Sequence, residues 1–345
     1  MKKVSLMALI MLLVVSLVTG CTNSAAGGKS KEADVLTFVW YPNESGEDLK
    51  AAREEFGKII ETATGKKVEH QLTTDYAIAI ESIANGNAQL CFPGAQGYIE
   101  ARNKNQNVIP LVVNSDNSGT LNDAVYYSWL AVRKGEEGNY KNGNDYAIDN
   151  IAGKKFSFVS TSSTSGFKVP SNGITTYFSK IDQYKDLKQD DLLEGGKNKF
   201  FSEVQFGGSH QGSAVNLLTK KVDVAAFCDT ELANYAELAE GKANTPGAVY
   251  SIRKDASEPF NTMVGQEFVV ISVTPVLNAP IIGNADTMSK ETIDKIITTL
   301  TSDEVAKNPL IFVPKDSSGK GIFKAPQRFL AVEDAWFNPI RELSK

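Results

Sequence analysis

The sequence predicts an α/β protein of two similarly built lobes, and three observations carry that prediction. Short aliphatic strands alternate with amphipathic helices along the body, the pattern of helices packed on mostly parallel sheets. A helix–turn–strand–turn–helix order occurs twice, at residues 77–101 and again at residues 213–239. The body that follows residue 33 is long enough for two domains of ordinary size.

The chain opens with an export signal. Lys2 and Lys3 precede an almost unbroken aliphatic run over residues 4–18, followed by Val18-Thr19-Gly20-Cys21. A run of that length makes about 22 Å of helix, short of the roughly 30 Å hydrocarbon core of a bilayer. It reads as a secretory signal over residues 1–20. The small residues before Cys21 resemble the lipobox of bacterial lipoproteins, whose cysteine is lipidated. Residues 21–33 are small and polar, a flexible tether. The expected location is therefore the cell membrane, with the body lipid-anchored on the extracytoplasmic face. Gly28-Lys29-Ser30 is not a phosphate loop, because Asn23 stands where the second glycine is needed and no strand precedes it.

The body then unfolds element by element. Residues 35–41 (VLTFVWY) form a strand. Residues 47–62 form a helix with Leu49, Ala52, Phe56, Ile59 and Ile60 on one face, closed by Gly65. The first copy of the repeat places Ile78, Ile80 and Ile83 on a helix, ends a strand at Cys91-Phe92, and puts Tyr98 on the next helix. Residues 108–113 and 126–132 are strands, and residues 156–159 start a new βα unit. The second copy places Val215, Leu217 and Leu218 on a helix, ends a strand at Cys228, and predicts a helix carrying Tyr235. Residues 268–273 form a long apolar strand. Residues 289–300 form a helix with Ile293, Ile296, Ile297 and Leu300 inward.

Composition narrows the function. The formal charge of −5 moves to −7 once Lys2 and Lys3 leave with the signal, and no basic stripe suggests nucleic acid. Beyond Cys21 there are two cysteines, each at the end of an aliphatic strand in distant parts of the chain. They read as separate buried thiols, not a disulfide. There is no Cys/His cluster with metal spacing, no Gly-x-Ser-x-Gly elbow and no dinucleotide fingerprint, so neither an enzyme nor a cofactor is expected. Ser209 beside His210 is adjacency in sequence, not triad geometry.

The chemistry concentrates at strand ends, where open α/β sheets bind ligands. Ser160-Thr161-Ser162-Ser163-Thr164-Ser165-Gly166 follows the strand at 156–159 and precedes Pro170 and a helical stretch. Hydroxyls and free backbone N–H groups at a helix N-terminus, which carries about half a positive charge, make an oxyanion cradle without lysine or arginine. Gly207-Gly208-Ser209-His210 repeats the theme: Ser209 caps a helix and leaves His210 at its positive end.

These motifs in this order resemble the phosphate-, phosphite- and phosphonate-binding solute receptors of ABC importers. The resemblance rests on Ser163-Thr164-Ser165-Gly166 with Pro170, on Ser209-His210, and on Val222-Asp223-Val224-Ala225. It extends to Thr74-Asp75-Tyr76-Ala77, Phe92-Pro93-Gly94 and Tyr126-Tyr127-Ser128, covering most of residues 34–343. It implies a two-lobed, clam-like fold of the periplasmic-binding-protein type II, crossed twice between lobes. Lobe 1 would comprise residues 34–128 and 270–345, and lobe 2 residues 129–269. It further implies an ABC permease and ATPase as partners. Ser163, Thr164 and Ser165 would hold a ligand anion beside His210, and Asp229 would receive an ammonium group.

The ligand class stays open between two chemistries. Residues 261–266 hold no carboxylate, so the second acid of aminophosphonate receptors is not placed. Aromatic residues end several strands: Trp40 and Tyr41, Phe92, then Tyr126, Tyr127 and Trp129. Trp40, Tyr41, Phe92 and Tyr126 are expected as cleft walls, which tilts the expectation narrowly toward an aromatic amino acid over a phosphonate, phosphite or phosphate. A surface adhesin role in addition to ligand binding is compatible with all of these.

Overall fold

The structure, a computed structural model, describes residues 32–143, 145–314, 317 and 319–343. The expected export signal, Cys21 and the expected tether as far as residue 31 lie outside the described residues. Among the described residues, no helix is long and apolar enough to cross a membrane.

Two sheets define two lobes. The six-stranded first sheet runs in the order Arg328–Ala331, Val108–Ser115, Pro280–Asn284, Leu90–Phe92, Val35–Trp40, Lys67–Leu72. The seven-stranded second sheet runs in the order Ala236–Glu240, Val249–Ile252, Glu267–Leu277, Val125–Arg133, Val224–Cys228, Lys155–Phe158, Glu203–Phe206. Each contains one β-α-β-α-β unit whose first strand lies between the third and the second, all parallel. The repeat seen in the sequence is thus the second half of a unit that both lobes share.

The sheets are mixed, whereas alternation alone predicted mostly parallel ones. Strands arriving from the other lobe enter antiparallel: Val125–Arg133 pairs with Glu267–Leu277, and Pro280–Asn284 inserts between Val108–Ser115 and Leu90–Phe92. A second departure concerns Tyr235. The helix after Cys228 is a single turn, Asp229–Leu232, and Ala236–Glu240 is a strand paired with Val249–Ile252. The segment AELAE suits a helix by propensity, but an open sheet edge beside it overrides that preference.

Packing follows the two periodicities. Leu36, Phe38 and Trp40 point to one face, where they meet Phe56 and Ile60 of helix Lys50–Thr64 and Ile293, Ile296 and Leu300 of helix Lys290–Leu300. Val39 and Tyr41 point the other way, onto Ile80, Ile83 and Tyr98 of helices Tyr76–Ala84 and Ala95–Lys104. Phe156 and Phe158 pack on Ile174 and Phe178 of helix Val169–Phe178, and Phe227 packs with Leu217 of helix His210–Leu218. Truncating a buried ring such as Phe56 to alanine should cost about 3–5 kcal/mol. Cys91 and Cys228 are buried and unpaired, as the strand ends implied.

Candidate functional site

Both parallel units aim the carboxyl ends of their strands at one cavity of about 350 Å³. Loops after Val35–Trp40, Lys67–Leu72 and Leu90–Phe92 form one wall; those after Lys155–Phe158, Glu203–Phe206 and Val224–Cys228 form the opposite wall. Tyr41, Phe92, Tyr126, Ser163, Thr164, Ser165, His210 and Asp229 all line it. The site residues inferred from sequence are therefore brought together.

The hydroxyl-rich loop expected to form an anion cradle lies after Lys155–Phe158. Ser163 caps a π-turn over Thr164–Lys168, its Oγ accepting from Gly166 N–H at 3.1 Å, and this turn opens helix Val169–Phe178. Gly166 is required because a Cβ there would lie 2.3 Å from Val159 Cγ2. Ser128 Oγ donates to the Ser165 carbonyl at 2.6 Å, which fixes the loop on a crossing strand. Ser209 Oγ accepts from Gly212 N–H at 2.9 Å and so caps helix His210–Leu218. His210 Nε2 then stands 3.4 Å from Ser163 Oγ and 3.5 Å from Ser165 Oγ, loose approaches, while the two serine hydroxyls also pair with Tyr76 and Tyr126. His210 Nδ1 is buried without a partner among the described residues. Burial alone pushes its pKa down to about 3, so the imidazole is neutral.

Acids occupy the other end. Asp229 Oδ1 accepts from the N–H groups of Tyr127 and Thr230, both at 2.9 Å, and Oδ2 accepts from Asn244 Nδ2 at 3.1 Å. Burial raises its pKa to about 6, and those donors restrain the rise. Two residues on, Glu231 points at Glu44 of the opposite lobe, the two carboxyl groups within hydrogen-bond reach. Burial pushes both upward, Glu44 well above the usual carboxylate range. Arg53 packs beside Glu44 but spends its Nη1 on the carbonyls of Glu44 and Gly46. Lys324 also lines the cavity, and its Nζ donates to Asn234 Oδ1 at 3.1 Å.

Several hydrogen bonds among the described residues join the walls directly. Gln96 N–H donates to Thr164 Oγ1 at 2.9 Å, and Ser162 Oγ to Glu100 Oε2 at 2.6 Å. His210 N–H donates to Asn43 Oδ1 at 3.1 Å, while Gln211 Nε2 donates to the Asn43 carbonyl at 3.2 Å. Asn43 also donates from Nδ2 to the Tyr76 hydroxyl at 2.8 Å. Of the aromatic residues, Tyr41 and Tyr76 lie 4.1 Å apart between centroids at the wall, and Trp129 donates Nε1 to Asn244 Oδ1 at 2.9 Å. Trp40 does not line the cavity; it stacks on Phe38 in the core.

Sequence reasoning did not find Asn43, Glu44, Glu231 or Asn244. Asn43 and Glu44 follow the first strand end by two and three positions, and Glu231 follows the marked Asp229 by two, so strand ends were the available signal. Asn244 offered none: it reaches Asp229 from a distant turn, in a left-handed conformation with φ 54°.

With that geometry in place, the comparisons agree on a class. The family described as ABC transporter, phosphonate, periplasmic substrate-binding protein matches residues 38–325, and the chain belongs to that family. It is a family of substrate-binding proteins, not of enzymes. The phosphate-import protein PhnD of Mycolicibacterium smegmatis is 29% identical over 201 residues, a match spanning 57% of this chain and 56% of that protein. Solved structures share the two-lobed fold. A binding-protein component of a phosphonate ABC transporter from Pseudomonas aeruginosa aligns with TM-score 0.59 and 19% identity, over 90% of this chain and 85% of that one. PhnD1 of Prochlorococcus marinus, in complex with methylphosphonate, aligns with TM-score 0.61 and 17% identity, over 90% and 97%.

Proposed function

We propose that this protein captures an aminoalkyl phosphonate outside the cytoplasm and delivers it to an ABC permease and its ATPase. The observation that supports this best is the polarity of the cavity. Hydroxyl, N–H and neutral imidazole donors at Ser163, Thr164, Ser165 and His210 face carboxyl groups at Asp229, Glu231 and Glu44. The phosphonate would sit in the cradle and the ammonium group among the acids. Inorganic phosphate or phosphite would satisfy only the first end.

An aromatic amino acid is the second reading, because Tyr41, Tyr76, Phe92 and Tyr126 line the same cavity. It ranks behind the phosphonate, since Trp40, one of the rings that favoured it, is committed to the core. Neither the family nor its neighbours supports an additional adhesin role. Lipid attachment at Cys21 would tether the body to the membrane. The paired strands Val125–Arg133 and Glu267–Leu277 would serve as the hinge between lobe 1 (34–128 and 270–345) and lobe 2 (129–269). Calorimetry with 2-aminoethylphosphonate, methylphosphonate, phosphate and phenylalanine tests the ligand. Tightest binding of 2-aminoethylphosphonate is expected; a preference for phosphate or phenylalanine overturns the reading.

A further inference from the structure

Glu44 and Glu231 reach the cavity from opposite lobes, Glu44 just after the first strand of one unit and Glu231 just after the third strand of the other. Glu44 is 3% exposed. Its Oε2 has no partner among the described residues apart from the facing carboxyl group. Among the described residues neither carboxyl group is in a salt bridge. Arg53 is turned to backbone carbonyls and Lys324 to Asn234.

Two unshielded carboxylates in contact inside a low-dielectric cleft repel by several kcal/mol. The other polar groups facing them relieve this only in part: side-chain donors of Asn43 at Glu44 and of Gln211 at Glu231 favour the charged forms, and the Arg53 guanidinium lies beside Glu44. On the Glu44 side stand Tyr41, Tyr76 and Cys91, all buried and held neutral; on the Glu231 side stand Asp229, Cys228, Tyr126 and Tyr235. His210 is neutral. A proton or a cation between the two acids would remove the repulsion that these donors leave.

We propose that Glu44 and Glu231 share one proton as a latch between the lobes, and that the ammonium end of the ligand displaces that proton into solvent. This rests on the ligand class proposed above. The exchange balances: the carboxyl O–H bond is lost, one H⁺ leaves for buffer, and an ammonium N–H donates to each carboxylate in its place. The pair together with the cation it holds carries one net negative charge before and after. An amine-free phosphonate fills the cradle and leaves the shared proton where it is. The pair thus selects for an amine by exchanging one cation for another instead of creating an ion pair from nothing.

Calorimetry with 2-aminoethylphosphonate at pH 7, in buffers of different ionisation enthalpy, reads the proton directly. With the proton exchange of the phosphonate group's own second ionisation subtracted, about one proton released per ligand is expected for the wild type, and none for methylphosphonate. In Glu44→Gln the release should vanish, and affinity for the amine-bearing ligand should fall more than tenfold. Zero release in the wild type, or undiminished release in Glu44→Gln, overturns the proposal. Infrared spectroscopy of the protein without added ligand separates this from the ligand assignment. A protonated-carboxyl stretch present at pH 7 and lost in both Glu44→Gln and Glu231→Gln is expected. If neither phosphonate gives heat, the function proposed above fails while the infrared result still decides the latch; absence of that stretch overturns the latch.

Discussion

A Cβ on Gly94 would lie 2.7 Å from Oγ1 of Thr164 in the opposite lobe. The walls of the cleft meet here at backbone distance. Thr164 Oγ1 is held in place by Gln96 N–H, and a β-branched side chain has little rotamer freedom with which to yield.

Gly94→Ala should therefore weaken ligand binding by about tenfold or more, since overpacking a tight contact costs about 1–3 kcal/mol. Gly94 has φ −65°, so alanine adds no backbone strain and the lobes should fold normally. Calorimetry and thermal melting check this together. Unchanged affinity would show that closure does not bring the two loops to this distance.

Asn43 is the second point of contact, holding the Tyr76 hydroxyl in its own lobe and the N–H of His210 in the other. Asn43→Ala should leave the far-UV circular dichroism unchanged and reduce affinity for methylphosphonate about tenfold. It strips one partner from buried polar groups, a loss of about 1–3 kcal/mol. An affinity within twofold of wild type would mean that His210 is positioned without it.

The hydroxyl-rich loop was legible in sequence as a site candidate, because six consecutive hydroxyl residues before Gly166 stand out at a strand-to-helix junction, and the structure brings Ser163, Thr164 and Ser165 to the cavity. Strands, caps and the paired units were legible for similar local reasons: Ser209 and Gly65 cap the helices they were assigned. The acid pair was not, since Glu44 acquires its role only by facing Glu231 across a cleft, and nothing local marks that. The strand at Ala236–Glu240 was missed for the same reason, its pairing partner lying after a turn.

Acid should destabilise the protein earlier than its carboxylates alone would dictate. His210 has a folded pKa pushed down to about 3 from 6.5, so its contribution is full above 6.5 and is lost as pH falls toward 3. His70, also lowered by burial, acts in the same direction. Thermal melting between pH 7 and 4 should show a wild-type decline that is shallower in His210→Gln. Parallel curves would contradict a neutral, buried imidazole.

A cradle of hydroxyls, backbone N–H groups and an uncharged ring would hold the proposed anion, on a body whose formal charge is −7 once Lys2 and Lys3 leave with the signal. Such a receptor exerts no long-range pull on an anionic solute; its overall field opposes approach, and dissolved salt screens that opposition. Capture of an anion should quicken modestly as ionic strength rises, the reverse of a pocket built on arginine. Selectivity then resides in the final few ångströms, after desolvation, and scarcely at all in the encounter.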